Sequence, residues 1–213
     1  MLLETNCNPH ELYNRDRTVY EPCRGLQIIP FYEKNGDQNF SDTYLAQVYR
    51  RIVREDTVKK VFYDGSARNT TDFIRFVTNP ENEIYFVKFK GREAGFFWLN
   101  KFRQKAYFIN YCFYREFRGR KEALDVSQRV IDFVFNLADG AGGHRIDVLL
   151  GLTPADNKLA VKFLVKNGMT ILGKVPGFIY DVRKEKAVDG VFSYRQRDGK
   201  TAAFSLSSIF FLH

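Results

Sequence analysis

Three runs rich in β-branched and aromatic residues follow one another with only short polar turns between them: Glu83 to Lys88 (E-I-Y-F-V-K), Glu93 to Leu99 (E-A-G-F-F-W-L) and Ala106 to Tyr114 (A-Y-F-I-N-Y-C-F-Y). Such side chains suit a pleated surface, and connections this short join antiparallel neighbours, so the runs predict a meander. Between about Glu122 and Asn136, Ala123, Val126, Val130 and Val134 form one apolar row and Leu124, Ile131 and Phe135 a second, the signature of a helix lying on a sheet. Gly140 to Gly143 then turns the chain into Arg145 to Leu150 (R-I-D-V-L-L), a buried-type strand that, reached through a helix, runs parallel to the strand before it. The predicted class is α/β of the α+β kind, a mixed, mostly antiparallel central sheet flanked by helices.

The flanking segments fit that frame. Gly25 to Tyr32 reads as a first strand, ending in a turn at Asn35-Gly36. Leu45, Val48, Tyr49, Ile52 and Val53 recur at helical spacing after Ser41, a candidate N-cap, and a second helix runs from about Thr71 to Val77. After the parallel strand, Thr153-Pro154-Ala155-Asp156 predicts a helix start with Thr153 as cap, and Asn167-Gly168 its end. Met169 to Lys174 and Phe178 to Val182 are strand candidates, and Asp189-Gly190 predicts a hairpin turn before Val191 to Tyr194. The organisation expected is an N-terminal arm over residues 1–24, one domain over 25–195 and a tail over 196–213. In the tail Phe204, Leu206, Phe210 and Leu212 alternate as in a strand that adds to this sheet, to a second copy or to a protein partner.

Several function classes are set aside. Cys7, Cys23 and Cys112 form no C-x-x-C pair, so neither a zinc site nor dithiol chemistry is expected; Cys7 with His10 and Cys23 lacks a fourth ligand. The histidines, His10, His144 and His213, offer little to a nucleophilic hydrolase. The longest apolar stretch, Val130 to Leu137, is broken by Asp132 and falls short of the roughly 20 residues that span a bilayer. Glu4, Asn6 and Asn8 leave no hydrophobic region for a secretory signal, so residence is expected to be cytoplasmic. The net charge of +8 permits an acidic partner, yet acidic residues interrupt most basic runs and no helix-turn-helix, RRM or zinc-finger pattern occurs, so nucleic acid is not the expected partner.

Four positive residues, Arg115, Arg118, Arg120 and Lys121, concentrate just before the helix that starts near Glu122. The run Arg118-Gly119-Arg120-Lys121-Glu122-Ala123, in this order of elements, resembles the Q/R-x-x-G-x-G/A motif of the GNAT superfamily of acyl-CoA-dependent N-acyltransferases, with Lys121 in place of the central glycine. Asn157-Lys158-Leu159-Ala160 followed by Gly168-Met169 resembles the family's N-x-x-A and G-F elements. The resemblance implies acetyl-CoA or another acyl-CoA as co-substrate, no metal, and an acceptor amine, on a small molecule or a protein, that attacks the thioester directly. It implies that Arg118, Gly119, Arg120, Lys121, Glu122 and Ala123 cradle the pyrophosphate, that Asn157 lies near the pantetheine, and that a backbone N–H near Cys112, Phe113 and Tyr114 stabilises the oxyanion. Lys121 either brings an ammonium to the phosphates or fills their space with its stem. Candidate bases are Glu93, Tyr111, Tyr114 and Asp147. A Tyr seven positions after the Asn often protonates the leaving thiolate in the family; here that position is Leu164, which has no proton to give. The alternative is a catalytically inactive GNAT-fold binding or structural protein, such as a phage virion-associated or assembly component.

Overall fold

The computed structural model describes residues 19–34 and 36–197. Its main sheet is built from β1 (Tyr20–Cys23), β2 (Leu26–Pro30), β5 (Asn82–Phe89), β6 (Arg92–Arg103), β7 (Ala106–Phe113), β8 (Val148–Pro154), β9 (Thr170–Asp181) and β10 (Lys186–Gln196). β3 (Glu33–Lys34) and β4 (Asp37–Gln38) form a small separate hairpin. The helices are α1 (Asp42–Arg54), α2 (Val58–Val61), α3 (Thr70–Thr78), α4 (Lys121–Phe135) and α5 (Lys158–Lys166). Strand order across the sheet is β1-β2-β5-β6-β7-β8-β10-β9, and every pairing is antiparallel except β7 with β8. No helix among the described residues is long and apolar enough to cross a membrane.

Alternation along the strands gives the sheet two apolar faces. On one, Val126, Val130, Ile131 and Val134 of α4 bury Val87, Phe97, Leu99 and Ile109. On the other, Leu45, Val48 and Ile52 of α1 and Phe73 and Val77 of α3 bury Phe86, Phe96, Trp98 and Cys112. Burying large side chains on both faces is what fixes the meander between two helical layers, each side chain contributing about 1.5–3 kcal/mol.

Three boundaries differ from the sequence expectation. Tyr20–Cys23, within the expected arm, is an edge strand paired with β2, and Tyr20 packs on Phe133 of α4. The helix expected to be capped by Thr153 starts later: β8 continues to Pro154 because its backbone pairs with β10 as far as Gly190, and Asn157 takes the cap, its side-chain oxygen accepting from the Ala160 N–H at 3.3 Å. Asp189-Gly190 is not a turn; it lies inside β10, where the register with β9 shifts, and the chain reverses after Asp181 instead. Ladder hydrogen bonds on both sides of β10 outweigh the local turn preference of the pair. The expected tail strand, Cys7, His10 and His213 lie outside the described residues.

Candidate functional site

The parallel pairing of β7 with β8 is short. It runs from Ala106 opposite Val148 to Phe108 opposite Leu150, after which β7 stays with β6 and β8 with β10, so that the two strands part. Phe163 of α5 sits edge-on against Tyr111 and Phe113 beneath the opening, with ring centroids 6.0 and 5.7 Å away. The fork opens into a cleft of about 940 Å³. Ile109, Asn110, Tyr111 and Phe113 form one wall and Gly151 to Pro154 the other. The start of α4, the cleft-facing side of α5 and the corner between α1 and α2 complete it.

The loop from β7 into α4 is a compact turn. The N–H groups of Phe117 and Arg118 both donate to the Tyr114 carbonyl, and Gly119 takes φ +73°, a left-handed conformation natural to glycine. Arg120 occupies the N-cap position of α4 without a side-chain cap, whereas α1, α3 and α5 are capped by Ser41, Asn69 and Asn157. The first N–H groups of α4 thus keep their capacity for an anion, beside Arg120 and exposed Lys121 on the cleft rim.

That loop is tied to the C-terminal end of α1. Arg115 N–H donates to Glu55 Oε2 at 2.5 Å, and the Arg118 guanidinium donates to the Glu55 carbonyl at 2.8 Å. Arg51 stands behind both, ion-paired with Glu55 (3.0 Å), Glu93 (2.9 Å) and Glu116 (3.1 Å) and lying 3.6 Å over the Tyr114 ring. One guanidinium holds α1, β6 and the loop together.

The sequence matches no protein-family model and no curated protein. Solved structures do match. The microcin C7 self-immunity acetyltransferase MccE, solved with acetyl-CoA and AMP, is 16% identical with a TM-score of 0.61, over 82% of this chain and 93% of that one. The RimL ribosomal L7/L12 α-N-protein acetyltransferase, solved with coenzyme A, is 13% identical with a TM-score of 0.62, over 85% and 99%. A probable GNAT-family acetyltransferase from Chromobacterium violaceum is 12% identical with a TM-score of 0.65, over 87% and 89%. The fold is the GNAT fold. None of these matches supports a phage origin.

Within this GNAT fold the expected site residues separate into two groups. Tyr111, Phe113, Arg118, Gly119, Arg120, Lys121, Ala123 and Asn157 all line the cleft. Cys112 and Tyr114 do not, because they point to the opposite face of β7, where both are buried in the core under α1 and α3. Glu122, in the first turn of α4, also lies off the cleft wall. Glu93 is outside the cleft and already engaged: Tyr44 donates to one carboxylate oxygen at 3.1 Å and Arg51 to the other at 2.9 Å. Asp147 sits at the far, closed end of the fork, where Arg197 binds its carboxylate at 2.9 Å. These placements remove Glu93, Tyr114 and Asp147 as bases poised at the cleft. Tyr114 N–H donates to the Ala94 carbonyl at 3.0 Å, which removes it from the oxyanion candidates as well.

The cleft also contains residues that the sequence did not single out. Thr57, 2% exposed, brings to its walls a buried hydroxyl without a hydrogen-bond partner among the described residues, as does Tyr111, which the sequence did offer as a candidate base. Lys60, Tyr63, Lys162 and Lys166 join them. No local signal marks these positions, which are assembled from α1, α2 and α5 by packing.

Burial pushes the hydroxyls of Tyr44, Tyr85, Tyr111 and Tyr114 well above the ordinary tyrosine range, and burial together with Asp64 pushes Tyr63 up to about 12. Since the folded values exceed the unfolded value of about 10, the neutral hydroxyls contribute stability that is complete below pH ~10 and is lost as pH rises through the folded values. We expect these tyrosines to ionise together with alkaline unfolding. Tyrosinate absorbance and far-ultraviolet circular dichroism should change in step above pH ~11; ionisation of all 12 tyrosines near pH 10 with an unchanged dichroism spectrum would contradict the placement.

Proposed function

We propose that this chain binds acetyl-CoA or another acyl-CoA in the fork and transfers the acyl group to an amine on a small molecule or a protein. The observation that carries the reading is the junction of the β7–β8 fork with the uncapped, basic start of α4. A diphosphate on the first N–H groups of α4, beside Arg120 and Lys121, aims a pantetheine arm along β7, whose fork-side edge beyond Phe108 has no strand partner among the described residues and offers N–H and C=O groups to its amides. Asn157 borders this path, although its side-chain oxygen also caps α5. Arg118 acts here through its bond to the Glu55 carbonyl, holding the loop in shape.

In the reaction the amine lone pair attacks the thioester carbon, and the Phe113 N–H stabilises the oxyanion; the Cys112 N–H, two residues before that of Tyr114 on the strand, faces β6 as Tyr114 does. The C–S bond then breaks, the nitrogen loses its proton and the thiolate gains one. Leu164, 8% exposed, supplies no proton, so water serves. That leucine also favours a second reading, a GNAT-fold protein that binds the cofactor without transferring its acyl group.

Calorimetric titration with acetyl-CoA, followed by assay of free thiol in the presence of amines, tests both. We expect saturable binding, weakened about tenfold or more by the Arg120→Glu, Lys121→Glu double substitution, since charge-assisted contacts to an anion contribute about 1.5–3 kcal/mol each. Thiol release that depends on amine supports transfer, and binding without release supports the second reading. No binding at millimolar ligand overturns both.

A further inference from the structure

Asn82, Asn100 and Asn110 come from β5, β6 and β7 and lie on the sheet face that α1 and α3 cover, the face of Ile84, Trp98 and Cys112. Their amides form a chain whose direction is fixed by the main chain. Asn82 Nδ2 donates to the Phe76 carbonyl at 2.8 Å, and Asn100 Nδ2 donates to the Glu81 carbonyl at 3.2 Å and to Asn82 Oδ1 at 2.6 Å. A main-chain carbonyl only accepts, so the oxygen of Asn100 is left for Asn110, whose Nδ2 donates to it at 3.3 Å. With its nitrogen turned to β6, Asn110 turns Oδ1 the other way, to the side on which β7 and β8 have parted beyond Phe108. That oxygen has no hydrogen-bond partner among the described residues, and Asn110 lines the cleft.

The cleft lining near this oxygen is apolar, with Val61, Trp98, Leu152 and Pro154, and the two carboxylates of the lining, Glu55 and Asp56, are ion-paired with Arg51 and Lys59. An acceptor-only oxygen in such surroundings is matched by an N–H donor on an apolar molecule. The Phe113 N–H lies three residues along β7, about 10 Å away. A hydrogen bond to the oxyanion, its C–O bond, an attack distance and a second hydrogen bond fill that length, at about 3 Å for each contact. We propose that Asn110 Oδ1 receives an N–H of the attacking amine, and that the acceptor is a primary amine carried on an apolar group without a second charge. The inference rests on the transfer reading above and deepens it. The amide takes no proton; its bond strengthens as the nitrogen becomes positive, which lowers the barrier, and the proton then passes to water. Asn100 is a positioning residue that acts through Asn110.

The test measures thiol release from acetyl-CoA with 2-phenylethylamine or putrescine, and follows binding of 2-phenylethylamine to the CoA-saturated protein by its proton line width. The wild-type chain should use 2-phenylethylamine about tenfold more efficiently than putrescine, whose second ammonium would enter apolar surroundings. Asn110→Ala should lower kcat/KM for 2-phenylethylamine about tenfold and abolish the line broadening, while acetyl-CoA affinity by calorimetry stays within about twofold. Asn100→Ala should lower kcat/KM by less and add nothing in the Asn110→Ala background, where a merely structural role would add its own loss. Thermal melts establish that each variant is folded. Unchanged kcat/KM in Asn110→Ala, or an equal loss of acetyl-CoA affinity, overturns the amine site, and equal use of putrescine overturns the apolar carrier. If acetyl-CoA binds and neither amine releases thiol, the transfer reading fails by itself; line broadening that depends on Asn110 then supports the amine site, and its absence overturns it.

Discussion

Gly95→Ala is expected to destabilise the protein by roughly 3 kcal/mol or more, because the added methyl group meets backbone, and more closely than it would meet any atom at Gly65, Gly151 or Gly190. Gly95 has φ +144°, a conformation that L side chains rarely adopt, and a Cβ built there would lie 2.0 Å from the Cys112 carbonyl oxygen and 3.0 Å from Phe113 Cα. Those neighbours are backbone and cannot rotate away. The register of β6 with β5 shifts just here, between Val87 and Lys88, which marks a bulge that brings β6 close to β7 opposite Phe113. The methyl group must therefore open the β6–β7 ladder at the residues that form one wall of the fork, and ligand binding should fall with stability. Gly119→Ala provides the comparison. Its Cβ would meet nothing within 4 Å, so only the left-handed φ costs, about 1 kcal/mol. Urea melts of the two variants measure the difference; a Gly95→Ala midpoint equal to that of the wild type would show that the close approach is absent.

Arg51→Ala is expected to cost about 2 kcal/mol and to weaken acetyl-CoA binding, although Arg51 does not line the cleft. Its loss leaves Glu55, Glu93 and Glu116 grouped without their shared cation, and it uncovers the Tyr114 ring. The penalty for breaking a fully buried pair, about 3–5 kcal/mol, is reduced here because Glu93 and Glu116 are each 39% exposed. Glu55 is the route to function: its carboxylate holds Arg115 and its carbonyl holds Arg118, so a displaced Glu55 releases the loop that leads into α4. Arg51→Lys should not rescue, because a single ammonium cannot reproduce three directed contacts from one planar group. Glu93→Gln should cost less, since Arg51 keeps its other two partners. Denaturant melts and the acetyl-CoA titration together check this, and an Arg51→Ala protein with wild-type stability and binding would refute it.

The order of elements was legible because each announces itself locally. The meander is written in its aromatic and β-branched runs, α4 in its two apolar rows, and the end of α5 in Asn167-Gly168, where Gly168 has φ +74°. Local signals misled where a tertiary partner competed with them. Thr153-Pro154 reads as a helix start, yet β10 carries β8 through Pro154, and Asp189-Gly190 reads as a turn, yet two neighbouring strands hold it extended. Tyr20–Cys23 was missed because an edge strand containing a proline has little periodicity of its own.

At the candidate site the division follows the same physics. The basic loop and its helix are contiguous in sequence, so Arg118 to Lys121 were readable before any fold was known. Which face of β7 a side chain takes depends on alternation and on the layers packed against each face, and this carried Tyr111 and Phe113 to the cleft and Cys112 and Tyr114 to the core. Carboxylates distant in sequence became unavailable only through partners that folding supplied, Arg51 for Glu93 and Arg197 for Asp147. Sequence alone thus determined the class of fold and gathered the basic residues at the start of α4, since both rest on short-range periodicity and on residues contiguous in the chain. The width of the fork and the partners that leave each charge free or engaged were decided by tertiary structure, because they depend on distances between segments that no local pattern encodes.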